Sequence, residues 1–207
     1  MKLRLLFFAL LITASVSAQQ TFRAGLIGGL SGCQIHGDSY SGFHQLGYVG
    51  GAFVQTNPDA QVQFVMEMQY SKKGSRKLTN PNIGDYTYFE LRMNYIEVPL
   101  LVRYGSKHIF IEGGASLGYL FKVREWDSYS EITPRDFKKM ELSAVLGIGY
   151  RLNEKFSLDF RSVNSLLPVK KFGPILYPVW YQDLFNMGMY NNVVTLSVVY
   201  TLPNGKE

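Results

Sequence analysis

The stretch NYIEVPLLVRYG, residues 94–105, shows the alternation on which the fold depends. Apolar residues occupy five successive even-numbered positions: Ile96, Val98, Leu100, Val102 and Tyr104. The odd-numbered positions between them include Glu97, Pro99 and Arg103. A repeat of two residues indicates a β-strand with two chemically different faces. The fold is therefore decided by which of these faces is turned inward and which is turned outward.

The same alternation continues along most of the chain and predicts eight strands. The strands lie near residues 22–35, 43–56, 60–72, 88–104, 107–122, 139–152, 155–165 and 190–202. Three connections are short turns, whereas the other four are longer, near residues 36–42, 73–87, 123–138 and 166–189. An even strand number with short turns at one end and long loops at the other is typical of outer-membrane barrels. We therefore predict an all-β, eight-stranded, antiparallel up-and-down transmembrane β-barrel.

The N-terminal sequence MKLRLLFFALLITASVSAQQ has the pattern of a secretory signal peptide. Lys2 and Arg4 precede a short apolar run, and small side chains lead to a predicted cleavage after Ala18. The apolar run is shorter than the roughly 20 residues that span a membrane, and no later stretch of the sequence predicts a transmembrane helix. We expect a cleaved signal peptide over residues 1–18 and one outer-membrane β-barrel domain over residues 19–207.

Composition narrows the class of protein. The 207 residues include 14 Tyr, 14 Phe and 20 Gly but only 18% charged residues, which favours β structure. The net charge of +5, or +3 without Lys2 and Arg4, is too small to indicate nucleic-acid binding, and no nucleic-acid motif accompanies it. Cys33 is the only cysteine, so the chain cannot form an internal disulfide.

Alternation alone does not distinguish a membrane barrel from a soluble one. A soluble lipocalin-like barrel turns its apolar faces inward, whereas a membrane barrel turns them toward lipid. The polar faces are rich in Gly, Ser, Thr and Gln, while a soluble surface is usually about 25–35% charged. Aromatic residues mark the ends of the apolar faces, like the girdles of membrane barrels: Tyr70, Tyr104, Tyr119, Phe121, Tyr150, Phe156 and Tyr200. The membrane barrel is favoured, and a soluble periplasmic carrier of a small ligand is the alternative.

Inward-facing polar faces would enclose charged side chains of both signs. The predicted interior network consists of Glu67, Glu97, Arg103, Glu112, Glu141, Arg151, Asp159 and Arg161. Eight strands enclose a space that side chains fill, and an unpaired buried charge costs several kcal/mol, by rough estimate. We therefore expect these side chains to pair in a structural role. We assign no catalytic, cofactor-binding or metal-binding residues.

A change of phase within one strand predicts a bulge. The apolar residues upstream are odd-numbered and end with Tyr95, while those downstream are even-numbered and begin with Ile96. One inserted residue produces such a switch, and Pro99 cannot donate a hydrogen bond to a neighbouring strand. We predict the bulge near residues 95–99.

The fourth long loop is unusually apolar for a segment in water. Its candidate partner-binding residues are Phe172, Tyr177, Trp180, Tyr181 and Phe185. Exposed apolar patches usually mark contacts, so this loop either binds another envelope protein or covers the mouth of its own barrel. The basic segment KKGSRK, residues 72–77, is predicted to be a solvated loop that can also meet lipopolysaccharide phosphates.

The first long loop raises an alternative, enzymatic hypothesis. His36 and His44 flank this loop, and Asp38, Ser39 and Ser41 lie between them. Serine, histidine and an acid are the groups that nucleophilic hydrolases and acyltransferases use. A lipid-modifying outer-membrane enzyme is therefore an alternative to a non-enzymatic barrel.

The stretch NYIEVPLLVRYG also resembles the signature strand of the PorT-like outer-membrane β-barrel family of Bacteroidetes, a Tyr-(Leu/Ile)-Glu-(Ile/Val)-Pro-Leu-Leu pattern. Three further stretches are similar to that family: YSKKG (70–74), FIEGGASLGYLF (110–121) and RSVNSLL (161–167). The resemblance implies an eight-stranded barrel in outer-membrane lipid with both termini in the periplasm, and a link of the name-giving member to protein secretion. With the residues above, it leads us to expect a non-enzymatic structural or accessory subunit, without a cofactor, that binds another envelope protein.

Overall fold

The computed structural model describes residues 22–38, 42–56, 60–128, 130–134, 136–171 and 188–203. The strands in these ranges are β1 (Phe22–His36), β2 (Gln45–Thr56), β3 (Val62–Lys77), β4 (Phe89–Gly105), β5 (Ile109–Asp127), β6 (Glu131–Ile132), β7 (Met140–Arg151), β8 (Phe156–Ser165), β9 (Lys170–Lys171) and β10 (Gly188–Thr201). A short 3₁₀ helix covers Pro81–Ile83. No helix in the described part of the chain is long and apolar enough to cross a membrane. The predicted signal peptide lies outside the described residues.

Eight of the strands form one closed antiparallel ring. Each pairs with its neighbour in the order β1, β2, β3, β4, β5, β7, β8 and β10. The ring closes where β10 pairs with β1, from Gly25 opposite Thr201 to His36 opposite Tyr190. The two-residue strands β6 and β9 attach to β5 and β10 at the long-loop end. The predicted eight-stranded antiparallel barrel is therefore confirmed.

The apolar faces of the strands point outward. Leu146, at the middle of β7, is 69% exposed. Large apolar residues on other strands are exposed as well, including Leu30, Phe64, Met66, Met68, Ile111, Phe160 and Leu196. A soluble barrel needs these faces inside, so the soluble alternative is wrong. The polar odd-numbered residues of β3, β4 and β7 are buried in the barrel instead.

Aromatic side chains lie at both ends of the apolar wall. Tyr104, Tyr150, Phe156 and Tyr200 lie at the short-turn end, and Tyr48, Tyr70, Tyr119 and Phe121 lie near the long-loop end. The rings of Phe156 and Tyr200 contact each other, with centroids 5.1 Å apart. Such girdles are expected where a barrel wall meets the two interfaces of a bilayer.

The interior also contains two apolar clusters. The first consists of Ile27, Phe53, Val65, Leu101, Val145 and Val199. The second consists of Ile35, Leu91, Met93, Tyr95 and Leu120 and lies toward the long-loop end. The interior is thus apolar in places, although most outer-membrane barrels of this pattern are polar inside.

The second apolar cluster corrects the predicted bulge in β4. The odd-numbered side chains of β4 face inward along the strand, including Leu91, Tyr95, Glu97 and Arg103, so no residue is inserted there. The pairing of β4 with β5 does shift at Asn94 and Tyr95, but the extra residue belongs to β5. The phase switch in the sequence instead reflects an interior that changes from apolar near the loops to charged below. Pro99 only interrupts the ladder to β3, whose register is the same on both sides of it.

The structure also corrects the predicted loop at residues 72–77. This segment continues β3 as far as Lys77, and β5 likewise extends to Asp127. Lys73 points into the barrel and is only 1% exposed, while Lys72 is on the outer face. KKGSRK is therefore strand with alternating faces, not a solvated loop.

Candidate functional site in the charged barrel interior

Arg161 on β8 is the centre of the ion-pair cluster nearer the short turns. Its Nη1 and Nη2 donate hydrogen bonds to the two carboxylate oxygens of Glu67 on β3, at 2.7 and 2.8 Å. Its Nε donates to Glu112, and Nη2 also donates to Asp159 at 3.2 Å. The bidentate geometry fixes both side chains, because the planar guanidinium matches the carboxylate plane.

Arg103 on β4 completes this turn-side cluster, which we define as Glu67, Arg103, Glu112, Asp159 and Arg161. Arg103 stands directly opposite Glu112 in the pairing of β4 with β5, and its Nη2 lies 2.9 Å from the Glu112 carboxylate. The same nitrogen donates to Asp159 at 3.2 Å, and Nη1 donates to Gln55 at 3.3 Å. Every member of the cluster is buried, and strands on opposite walls are joined through it.

Lys73 is the cation of a second, loop-side cluster with Glu97 and Glu141. Its Nζ lies 2.5 Å from Glu97 and 2.9 Å from Glu141, and all three side chains are buried. Asn191 donates to Glu141 at 2.7 Å and to the hydroxyl of Tyr95 at 3.3 Å. The Lys73 ammonium also lies 5.1 Å from the centre of the Tyr95 ring, a cation–π distance.

The two clusters leave little space between them. A cavity of about 20 Å³ lies there, bordered among others by Lys73, Glu97 and Arg161. A space of this size holds about one water molecule. The interior is therefore a packed plug of side chains rather than a water-filled passage.

Arg151 occupies a different place from the other seven residues of the predicted network. It is half-buried at the short-turn mouth, where it donates to the carbonyl of Ser106 and, at 3.1 Å, to Gln63. The guanidinium groups of Arg103 and Arg151 both lie over the Phe110 ring, at 4.1 and 4.9 Å from its centre. The mouth contains a cavity of about 560 Å³ that is open to the outside.

The interior carboxylates Glu67, Glu97, Glu112, Glu141 and Asp159 each lie within ion-pair distance of a buried cation. Among the residues that the structure describes, no three His, Cys, Asp or Glu side chains group so that they could hold a metal ion. Of the first-loop residues in the enzymatic hypothesis, Ser39 and Ser41 lie outside the described residues, as do all five candidate residues of the fourth loop.

Lys73 is a charged interior residue that the sequence prediction missed. The signal was present, because the inward alternation of β3 continues through Ser71, Lys73 and Ser75. A dense basic segment with a glycine is usually a solvated turn, and that interpretation hid the alternation. Once Glu97 and Glu141 are placed inside the barrel, two buried carboxylates require a nearby cation.

An outward apolar wall with aromatic ends, closed by eight antiparallel strands around charged residues, defines a small outer-membrane β-barrel. The chain belongs to the outer membrane protein beta-barrel domain family, whose profile matches residues 17–171. Family and fold together place the protein in the outer membrane.

Solved structures show the same fold at low sequence identity. Neisserial surface protein A is 11% identical with a TM-score of 0.53, and the match covers 86% of this chain and 97% of that one. Ail, the attachment invasion locus protein of Yersinia pestis, in complex with the heparin analogue sucrose octasulfate, is 10% identical with a TM-score of 0.51. That match covers 87% of this chain and 99% of Ail. No curated protein matches the sequence.

Proposed function

We propose that the protein is a non-enzymatic, non-conducting outer-membrane subunit of the PorT-like type from Bacteroidetes, which binds another envelope protein through its long extracellular loops. The chain carries a signal peptide over residues 1–18, and the barrel domain has both termini in the periplasm. The partner belongs to the cell envelope, and a role in protein secretion is the particular form that the family resemblance suggests.

The packed interior is the observation that carries this proposal. Lys73, Arg103 and Arg161 each bind two or more carboxylates across the barrel, and the gap between the clusters holds about one water. A barrel that is filled in this way neither conducts solutes nor holds a ligand at its centre. Its function then depends on surfaces outside the bilayer.

The long-loop end offers such a surface. Beyond Lys72, Asn94 and Lys122, the strands β3, β4 and β5 continue for five residues, which is roughly 17 Å of strand. The three strands stay paired to their tips, so they form a rigid platform. Tyr86, beside this platform, is 70% exposed, and Leu167 is exposed at the start of the fourth loop.

Site-specific photo-crosslinking in intact cells tests the proposal. A photoreactive amino acid is placed at Tyr86, at Leu167 or at Trp180, and at Glu154 in a short turn as the matched control. We expect the three long-loop positions to give an adduct with one and the same envelope protein, and the Glu154 position not to give it. Heat-modifiable gel mobility of each variant checks that the barrel is folded in the outer membrane.

Two results contradict the proposal. One is the absence of any adduct from the three long-loop positions in correctly folded variants. The other is steady single-channel conductance of the purified wild-type barrel in a planar bilayer, because a packed interior does not pass ions.

A further inference from the structure

Three aromatic side chains form a continuous shelf on the outer face of the barrel, near the long-loop end. Tyr48 stacks on Tyr70 with ring centroids 5.5 Å apart, and Tyr70 contacts Phe121 at 5.9 Å. The Tyr70 hydroxyl donates to Asn94 at 2.9 Å, which holds the ring in place. Phe121 continues the outward alternation of Leu117 and Tyr119, and because it is the extra residue of the β5 bulge, the next residue, Lys122, also faces outward.

Two lysines lie directly above this aromatic shelf. Lys72 and Lys122 both stand opposite Asn94, on the two strands that flank β4. Since neighbouring strands are about 4.8 Å apart, the two backbone positions are separated by about 10 Å. The Lys72 ammonium lies 5.6 Å from the centre of the Tyr48 ring. Neither lysine has a carboxylate within ion-pair distance among the described residues.

The next outward-facing row adds two more cations. Arg92 and Arg124 stand directly opposite each other on β4 and β5. Like charges in this position destabilise a sheet unless anions compensate them. Glu90 binds Arg92 at 2.7 Å, whereas Glu131 reaches Arg124 only at 4.0 Å. Arg124, whose side chain is 49% exposed, is therefore the less compensated of these two cations.

On the opposite wall of the barrel, the edge of the apolar face carries neutral side chains instead of cations. At the upper edge of its apolar face, β1 presents Gln34, β10 presents Asn192 and β8 presents Asn164, which form one paired row. These side chains are neutral amides. Cations therefore do not border the apolar face all round the barrel, because on this wall Lys138, Lys139 and Lys170 lie farther toward the long loops.

We propose that Lys72, Lys122, Arg92 and Arg124, which we call the basic rim, bind the headgroup of a lipid that carries two phosphate groups. The acyl chains of that lipid pack against the shelf of Tyr48, Tyr70 and Phe121. Phosphate oxygens match the lysine and arginine donors, and a headgroup with two phosphates can bridge cations about 10 Å apart. The apolar wall below receives the chains, which a free phosphate does not have. The inference rests on the proposed orientation, in which the long loops and the outer leaflet are on the same side, but not on any protein partner.

The test uses the full chain folded in zwitterionic detergent micelles, with diphosphoryl lipid A as the probe. Native mass spectrometry over a lipid titration gives the affinity of the wild type, of the variant K72Q/K122Q and of the control K107Q/K155Q. The control removes the same two charges from exposed lysines in the short turns at the other end of the barrel. Because a cation near an anionic lipid surface contributes about fivefold in affinity, we expect K72Q/K122Q to bind about 30-fold more weakly, and the control to stay within twofold of the wild type.

Further measurements keep the proposal open to refutation. Unchanged heat-modifiable mobility shows that the variants are folded, and a rise in salt weakens binding of the wild type if the rim acts through charge. Affinity of K72Q/K122Q within twofold of the wild type, or equal losses in both double variants, overturns the proposal. Displacement of the lipid by an equal concentration of inorganic phosphate overturns it too, because the site then recognises phosphate without the lipid. Loss of lipid binding leaves the crosslinking result intact, so the two proposals fail separately.

Discussion

Arg161 and Glu67 form a bidentate ion pair across the full width of the barrel. Their strands, β8 and β3, are four strands apart in either direction around the ring. No pair of strands in an eight-membered ring can be farther apart, so this contact joins opposite walls directly. It turns a cylinder held by neighbour-to-neighbour hydrogen bonds into a structure that is also braced through its centre.

Replacing Arg161 by Met should destabilise the barrel by roughly 3–5 kcal/mol, because Glu67, Glu112 and Asp159 then lose a buried cation. The free energy of unfolding, measured by reversible urea titration in detergent micelles, checks this value. Lys155→Met removes an exposed cation in a short turn and should change stability by less than about 0.5 kcal/mol.

A double variant shows how much of the stability lost in Arg161→Met comes from the unpaired carboxylates and how much from altered packing. Arg161→Met combined with Glu67→Met should recover part of the loss, because it removes one of the carboxylates left without a partner. Equal stability of the single and double variants would show that the cross-barrel ion pair is not the cause.

Lys73 and Lys72 provide a sharper comparison, since they are adjacent in sequence and lie on opposite faces of β3. Lys73→Met leaves Glu97 and Glu141 buried close together without their cation, and should cost roughly 3–5 kcal/mol. Lys72→Met changes the same side chain on the outer face and should leave the urea midpoint in micelles nearly unchanged. Similar midpoints for the two variants would refute the inward assignment of Lys73.

Much of the fold follows from the two-residue period alone. Strands such as 155–165 and 190–202 were predicted within a few residues of β8 and β10, because an unbroken alternation determines both the strand and its two faces. The ends at the loop side were less accurate. Residues 73–77 and 123–127 alternate between charged and small residues, which is also the composition of a solvated loop.

The interior was harder to predict than the wall. Glu67, Glu112 and Asp159 follow from alternation, since each occupies an inward-facing position. Which carboxylate binds which cation depends on the stagger of strands around the ring, and a single sequence contains no record of it. The phase switch at Tyr95 led to the wrong prediction of a bulge in β4. An apolar patch inside a barrel and an inserted residue produce the same sequence pattern.

The cost of placing an arginine on the lipid-facing wall should depend on its depth in the membrane. Leu146 lies at the middle of the apolar face, so Leu146→Arg should destabilise the barrel by about 2–4 kcal/mol in lipid vesicles. Asn164→Arg, at the upper edge of the same face, should cost only about 0–1 kcal/mol. Urea unfolding of both variants in the same vesicles provides the comparison. Equal costs at the two positions would contradict the assigned depth of the wall.

The stability of the turn after β3 should depend on pH through Asp85. Asp85 accepts a hydrogen bond from Lys77, whose Nζ is 2.8 Å away, and another from the backbone N–H of Thr87 at 3.0 Å. These contacts lower the pKa of the Asp85 carboxyl from 3.8 to about 2. Because the folded pKa is below the unfolded one, the ionised form stabilises the folded turn. This contribution is complete above about pH 4 and is lost as the pH falls toward 2.

Carboxyl-carbon NMR of the folded protein in micelles measures the Asp85 titration directly. We expect a midpoint near pH 2 in the wild type and a higher one in Lys77→Gln, because the first of the two contacts is then lost. Lys107→Gln, an exposed lysine in a short turn at the other end of the barrel, is the control and should leave the midpoint unchanged. A wild-type midpoint at the ordinary aspartate value would mean that the Lys77–Asp85 contact does not persist in solution.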